Sequence, residues 1–161
     1  PGVYDVTDVG MNYRMSEMQA ALGRTQTKKL PKILEKRSAN FEALKSELKN
    51  VDDVIVLDSS NSKSKNSHYC LILILIGSAA EKRNEIVLEL KERKVGCSIY
   101  YPHPVPRLKY YQDKYGYDLK LFPNAAAVSD QSIALPVGPH LDEKDMSYIA
   151  SVFLDIKRSL I

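Results

Sequence analysis

The sequence predicts an α+β fold: long N-terminal helices and a small, mostly antiparallel sheet with helices packed on one face. Apolar residues recur every three or four positions over residues 30–48, which is typical of an amphipathic helix. A continuous apolar run at residues 71–76 has the length of a buried strand. Short predicted strands and helices are mixed along the chain, which favours a layered α+β arrangement.

The first third of the chain is predicted as a loop followed by helices. Residues 1–14 lack hydrophobic periodicity, so we expect a loop there. Ser16 is predicted to be the N-cap of the next helix, with Gln19 at the reciprocal capping-box position. Pro31 is expected to break or restart that helix. The long helix that follows should end near Asn50.

Two strands and a helix are predicted in the middle of the chain. Strands are expected at residues 54–57 and 68–76, separated by a flexible loop of Ser, Asn and Lys at 58–66. The uninterrupted apolar run in the second strand predicts cover on both of its faces. Ser78 is expected to cap the next helix, which should run to about Arg93, with Gly96 as its stop signal.

The last third contains short elements and a final helix. The short elements are predicted as strand, helix, helix and strand at residues 97–100, 109–115, 122–130 and 133–135. After the strand at 97–100, Pro102, Pro104 and Pro106 are expected to prevent regular structure. Asp142 is predicted to cap the final helix, with Asp145 completing the box. The apolar stripe of this helix is Met146, Ile149, Val152, Phe153, Ile156 and Leu160.

The length and composition of the chain correspond to one globular domain. The chain has 161 residues, of which 44% are hydrophobic and 27% charged, so it is not of the disordered class. No apolar run approaches about 18 residues, so we expect no membrane span. No leader opens the sequence, so we expect a cytoplasmic protein. We divide the chain into a loop with long connecting helices at 1–50 and a small α/β domain at 51–161.

The charge balance leaves two interpretations open for the long helix. The net charge of +3 is too small to indicate a nucleic-acid partner by itself. Between Arg24 and Lys49, however, eight Lys or Arg residues face only three Glu. This segment is either the solvated face of the helix or a basic strip near a phosphorylated ligand.

General catalytic and metal motifs are absent from the sequence. There is no Gly-rich phosphate loop, G-x-S-x-G, H-E-x-x-H or C-x-x-C. The three histidines, His68, His103 and His140, are scattered, so no metal site is expected. Cys70 and Cys97 are interpreted as buried reduced thiols, with a disulfide or a reactive thiol as the alternatives.

The first candidate site is the polar segment at residues 10–17, which leads directly into a helix. The Asn12 amide can donate hydrogen bonds to a phosphate, and the Arg14 guanidinium can bind an anion in bidentate fashion. The start of the helix adds free N–H groups and a favourable dipole. The structural alternative is an N-capping loop with Arg14 in a local ion pair.

The second candidate site is the tyrosine-rich segment at residues 98–117. It holds six of the chain's ten tyrosines, Tyr100, Tyr101, Tyr110, Tyr111, Tyr115 and Tyr117. Interleaved with them are His103, Arg107, Lys109 and Lys114. Aromatic rings and cations together suit stacking on a base or sugar and pairing with phosphates. The alternative is a proline-stiffened loop whose tyrosines cover the core.

Both segments resemble one enzyme family. The string G-x-N-Y-R-M-S-E-M-Q-A-A at residues 10–21 resembles the entry to the C-terminal part of the DegT/DnrJ/EryC1/StrS sugar aminotransferases. These are pyridoxal-phosphate (PLP) enzymes that aminate nucleotide-linked keto-sugars. Further matches follow in the family's order: Gln26-x-x-Lys29-Leu30, Arg37, His68-Tyr69, Tyr101-Pro102-x-Pro104 and Leu135-Pro136.

The resemblance implies the small C-terminal domain of a fold-type-I PLP aminotransferase. The Schiff-base lysine of the family lies upstream, in a large N-terminal domain, so the resemblance implies no catalytic residue in this chain. PLP is accordingly expected in the full-length protein and not as a covalent group here. Because it opens on Pro1 without a Met, the chain is expected to be a piece of a longer protein.

The resemblance also implies roles for four residues. Asn12 would contact the PLP phosphate of the neighbouring subunit, and Arg14 would lie at the same shared active site. Tyr101 and His103 would lie toward the nucleotide-sugar. Many members have a histidine two residues after the second proline of this loop, where this chain has Pro106. Whether His103 takes its place is open.

The function implied is transfer of an amino group from glutamate to a nucleotide-linked keto-sugar, as in polysaccharide biosynthesis. The implied partners are the nucleotide-sugar, the amino donor and a second copy in a homodimer, with no nucleic acid and no membrane. One alternative is a stand-alone, non-catalytic remnant that acts as a dimerisation or ligand-binding module. Another is a nucleic-acid binder that uses the basic helix.

Overall fold

The computed structural model describes residues 7–58, 61, 63–118 and 120–161. The chain divides into two compact units, Pro1–Lys32 and Ile33–Ile161, and the helix α1 (Glu17–Leu48) contributes residues to each. The expected loop at 1–14 is confirmed over residues 7–14, whereas residues 1–6 lie outside the described ones. Residues 59, 60 and 62 of the expected loop at 58–66 also lie outside them.

The start of α1 is fixed by the predicted capping box. The Ser16 backbone N–H donates to Oε1 of Gln19 at 2.9 Å, and the Gln19 N–H donates to Oγ of Ser16 at 3.3 Å. Each side chain therefore satisfies a backbone group that the helix geometry leaves without an intrahelical partner.

The expected break at Pro31 is wrong, because α1 continues through it to Leu48. A proline has helical φ, and it removes the hydrogen bond to the carbonyl of Thr27 at a cost of about 3 kcal/mol. The later turns of α1 bury Phe41, Leu44 and Leu48 in the core. Burial of three large side chains contributes more than this cost, at roughly 1.5–3 kcal/mol each.

The sheet has three antiparallel strands in the order β1 (Val54–Leu57), β2 (Cys70–Leu75) and β3 (Ser132–Pro136). Leu73 of β2 lies opposite Val56 on one side and Ile133 on the other. The strands predicted at 54–57, 68–76 and 133–135 are therefore confirmed, with ends that differ by one or two residues.

The central strand β2 is covered on both faces. Leu71, Leu73 and Leu75 have no exposed surface and belong to a core that is completed by α1, α3 (Arg83–Glu92) and α6 (Glu143–Leu160). On the opposite face, Ile74 lies beside Ser132, and both are buried. Helix α5 (Pro123–Gln131) contacts β2 and β3 but contributes no residue to that core, so it covers this second face. Helices were expected on one face of the sheet only, whereas the structure has helices on both faces.

The helix expected to be capped by Ser78 is instead two helices, α2 (Gly77–Glu81) and α3 (Arg83–Glu92). Ser78 does not cap either of them. Its hydroxyl donates at 3.5 Å to Oδ2 of Asp53, in the turn that precedes β1. The Ser78 side chain, which the local pattern predicts to be a helix cap, therefore makes a tertiary contact with Asp53 instead.

Helix α3 ends at Glu92, close to the expected end near Arg93, but Gly96 is not the residue that stops it. Lys94 adopts the left-handed conformation with φ of 62°, and its N–H donates to Lys91 O at 3.0 Å. The Val95 N–H donates to Leu90 O at 2.8 Å, and the Val95 side chain is buried. These two bonds and the apolar contact form a Schellman ending, which stabilises a lysine where glycine is usual.

No strand forms at residues 97–100. Ser98 makes only an isolated antiparallel bridge with Ala134, with N–O distances of 3.1 and 2.8 Å. The prolines that follow withdraw the chain from the sheet, and a short 3₁₀ turn forms at Val105–Arg107. The helical segments predicted at 109–115 and 122–130 are confirmed as α4 (Lys109–Tyr115) and α5.

The final helix α6 (Glu143–Leu160) begins with the predicted capping box. Oδ1 of Asp142 accepts from the N–H groups of Lys144 at 2.9 Å and Asp145 at 3.2 Å. The Asp142 N–H donates to Oδ2 of Asp145 at 2.9 Å. The predicted stripe is buried from Met146 to Ile156 and half-buried at Leu160, so α6 forms one wall of the core.

We expect Asp142→Ala to lower the free energy of unfolding by about 0.5–2 kcal/mol, because the substitution leaves two helix N–H groups without an acceptor. Urea titration followed by circular dichroism measures the loss. Asp142→Asn is the matched control, since asparagine accepts the same bonds and should be nearly neutral. If both variants lost equal stability, the cap bonds would not be the stabilising interaction.

Candidate functional site

The loop that precedes α1 holds Asn12 and Arg14 in one exposed turn. Oδ1 of Asn12 accepts a hydrogen bond from the Arg14 backbone N–H at 3.1 Å. This bond occupies the amide oxygen and leaves the amide NH₂ of Asn12 as a donor. Within the described residues the Arg14 guanidinium has no ion pair, so the alternative of a local ion pair has no support.

The donors of this turn suit a phosphate. The N–H groups of Glu17 and Met18 are the first of the helix and have no intrahelical acceptor, whereas that of Gln19 is taken by Ser16. Backbone N–H groups, an amide and a guanidinium are the groups that bind phosphates in proteins. Glu17 adds a negative charge in the first turn, so an anion here depends on the charge of Arg14.

Tyr101 and His103 lie together in the other compact unit. They line a cavity of about 980 Å³ between the proline-rich segment and α5. The rest of the lining is mostly apolar, including Pro104, Leu108 and Phe122. A mainly apolar cavity with a few polar groups is typical of sites for organic ligands.

The six tyrosines of the second candidate segment do not cover the core, since none of them is buried. Tyr111 stacks on Tyr115 with centroids 6.2 Å apart, and Tyr117 follows at 5.5 Å from Tyr115. The Lys114 ammonium lies 5.5 and 5.3 Å from the centroids of Tyr110 and Tyr115. The rings therefore pack on one another and leave aromatic surface exposed.

Two of the cations predicted to serve phosphates in this segment are already paired. Arg107 donates to both carboxylate oxygens of Asp130, at 2.8 and 2.9 Å. Lys109 donates to both oxygens of Asp113 at the same distances. These carboxylates largely neutralise the charges of Arg107 and Lys109. Of the four residues predicted to bind phosphates in this segment, Lys114 and His103 therefore remain as candidates.

Sequence reasoning missed a second, smaller cavity in the unit Ile33–Ile161. It measures about 270 Å³ and brings together Arg37, both cysteines and His140. Its walls come from parts of the chain that are distant in sequence, so no local spacing predicts it. The one sequence feature that could have indicated it is Asn40, a polar residue beside the apolar stripe of α1.

The cysteines are free thiols, so the disulfide alternative has no support. Cys70 lies opposite Pro136 of β3, and Ser98, next to Cys97, bridges the other edge of β3. Strands two places apart are separated by about 9–10 Å, which is too far for a disulfide. Burial raises the pKa of both thiols, which disfavours the thiolate that a reactive cysteine needs.

Among the residues that the structure describes, no helix is both long enough and apolar enough to cross a bilayer. No cluster of three or more His, Cys, Asp or Glu side chains among them could hold a metal ion.

Comparison with known proteins identifies curated relatives that match most of this chain. The dTDP-4-dehydro-2,3,6-trideoxy-D-glucose 4-aminotransferase of Saccharopolyspora spinosa is 29% identical over 150 residues, which cover 92% of this chain. The lipopolysaccharide biosynthesis protein RfbH of Salmonella typhimurium is 25% identical over 150 residues, or 93% of this chain. These matches cover 36% and 34% of the two relatives, so the chain spans little more than a third of their length.

A solved structure matches the fold. The PLP form of a putative sugar aminotransferase from Streptococcus pneumoniae superposes with a TM-score of 0.85 at 24% identity, over 99% of this chain and 40% of that one. The sequence profile described as the DegT/DnrJ/EryC1/StrS aminotransferase family matches residues 2–154. The chain therefore belongs to the DegT/DnrJ/EryC1/StrS aminotransferase family.

Proposed function

We propose that this chain is the C-terminal part of a homodimeric, PLP-dependent enzyme that transfers an amino group from glutamate to a nucleotide-linked keto-sugar. The observation that carries the proposal is the donor set at the start of α1, which suits a phosphate and lies in a chain of an aminotransferase family. Residues 1–50 would be its connecting segment and 51–161 its small domain, beside a large domain that contributes the Schiff-base lysine.

Asn12 and Arg14 would serve the cofactor and the shared active site. PLP, when bound, supplies the carbonyl and electron-withdrawing ring on which amino transfer depends. The Asn12 NH₂ would donate to the phosphate while its oxygen keeps the bond to the Arg14 N–H that shapes the turn. Arg14 would supply the positive charge that offsets Glu17 and holds an anionic group of cofactor or substrate.

Tyr101 and His103 would bind the nucleotide-sugar. Tyr101 is 74% exposed, so its ring is accessible for a base or sugar to stack on. His103 lies in the same cavity wall and can donate to a sugar hydroxyl or a phosphate oxygen. The apolar remainder of the cavity would exclude water from the bound sugar.

In the full-length protein, we expect Asn12→Ala to weaken PLP retention about 10-fold to 150-fold, because a hydrogen bond to a charged acceptor contributes about 1.5–3 kcal/mol. Asn12→Asp should weaken it at least as much, since it keeps the acceptor for the Arg14 N–H but replaces the donor by a negative charge. Equilibrium dialysis against PLP measures both affinities, and Asn50→Ala, at an exposed position beyond α1, is the control.

The pair of variants separates phosphate binding from loop geometry. If Asn12 only shapes the turn, Asn12→Asp should retain normal PLP affinity and Asn12→Ala should lose stability instead. Normal affinity in both folded variants would contradict the proposed role and favour a non-catalytic module.

Mixed dimers test whether Asn12 serves the neighbouring subunit. A subunit carrying Asn12→Ala is combined with a subunit that lacks the Schiff-base lysine. If Asn12 acts across the dimer, one site of each mixed dimer has both defects and the other has neither, so amino-transfer activity should partly return. Absence of recovery in isolated mixed dimers would place Asn12 in its own subunit's site.

A further inference from the structure

The second cavity, of about 270 Å³, lies wholly within the unit Ile33–Ile161, and Tyr100 lines both it and the cavity of Tyr101 and His103. Its walls are the second half of α1, the start of β2, the end of β3, the segment 96–100 and the turn 137–140. The volume is below the range of about 300–1,000 Å³ typical of organic ligand sites. It therefore fits a small group and not a nucleotide-sugar.

Arg37 is the charged side chain of this cavity. Its Nε is cut off from solvent and has no hydrogen-bond partner, and across the described residues its guanidinium forms no ion pair. The guanidinium carbon lies 5.6 Å from the centroid of the Tyr69 ring. This cation–π contact provides no hydrogen-bond acceptor, so it does not satisfy the Nε–H group of Arg37. A partly buried cation without an acceptor is unfavourable, so the geometry is that of an incomplete pair.

The lining offers donors and no competing negative charge. The residues around the cavity include Arg37 and His140 but no Asp or Glu. Tyr69 and Tyr100 both line it, and a hydrogen bond between their hydroxyls raises the pKa of Tyr69, so that hydroxyl stays neutral. An anion entering this cavity meets the positive charge of Arg37 and the side chains of Tyr69 and Tyr100.

The turn that carries His140 is held in place. Nδ2 of Asn40, which is buried, donates to Gly138 O at 2.9 Å and to Leu141 O at 3.1 Å. A Cβ at position 138 would lie 2.6 Å from the His140 ring, so only glycine allows the ring to occupy this place. The backbone turn that carries His140 is therefore positioned before any ligand binds.

We propose that this cavity binds a small oxyanion, a phosphate or a carboxylate, with the Arg37 guanidinium as its principal ligand and His140 as a second donor. An oxyanion that accepts from Nε–H and one Nη–H together would complete the bidentate pair that the protein leaves open. Neither Arg37 nor His140 belongs to the cofactor and sugar sites proposed above, and among the described lining residues only Tyr100 is shared with the cavity of Tyr101 and His103.

Titration of the 161-residue chain with inorganic phosphate, without PLP and at constant ionic strength, tests the site. We expect saturable heat in calorimetry and amide shift changes in ¹⁵N spectra concentrated at Gly96, Ser98, Gly138 and His140. Acetate titrated in the same way decides between phosphate and carboxylate as the better ligand, and chloride controls for screening.

Arg37→Gln should weaken phosphate binding about 10-fold to 150-fold, the range for a hydrogen bond to a charged group. Lys36→Gln is the matched control, because it removes the same charge from an adjacent, exposed position. Arg37→Lys, which keeps the charge but not the fork, should also bind more weakly than the wild type.

Equal binding by the wild type and Arg37→Gln would overturn the proposal. So would wild-type amide shifts confined to the loop before α1 or spread over the surface, or no saturable binding of either oxyanion. The wild-type spectra alone decide the matter if the Arg37→Gln chain does not fold.

Discussion

The burial of β2 on both faces is the constraint on which the rest of the unit Ile33–Ile161 depends. The five residues Leu71–Ile72–Leu73–Ile74–Leu75 carry no polar side chain, and four of the five are buried. One face requires α1, α3 and α6, and the other requires α5. The two cavities described above are lined largely by connecting segments, 96–100 and 137–140 for the smaller one and 100–108, together with α5, for the larger one.

The elements that sequence predicts correctly are those fixed by neighbours along the chain. The capping boxes of Ser16 with Gln19 and of Asp142 with Asp145 form as predicted, because their partners are three residues apart. The errors arise where tertiary contacts decide. Pro31 stays inside a helix whose later turns are buried, and Ser78 bonds to Asp53 instead of capping.

The same distinction applies to the candidate sites. Asn12 with Arg14, and Tyr101 with His103, are close in sequence, so a local string was enough to group each pair. Arg37 and His140 are more than a hundred residues apart and meet because Asn40 ties the 138–141 turn to α1. Charge counting along the chain also misjudged the tyrosine-rich segment, since Arg107 and Lys109 are paired with carboxylates. These ion pairs depend on the folded geometry, so they cannot be predicted from the number of charged residues in a segment.

Release of 2-oxoglutarate from glutamate tests the central claim most directly, because this half of the proposed reaction needs no knowledge of the sugar. The full-length protein, loaded with PLP and freed of excess cofactor, is mixed with ¹⁵N-labelled L-glutamate, and the products are measured by mass spectrometry. The account predicts a burst of 2-oxoglutarate equal to the number of active sites, with the label retained on the protein's cofactor. PLP-loaded protein that releases no 2-oxoglutarate would contradict an aminotransferase that uses glutamate.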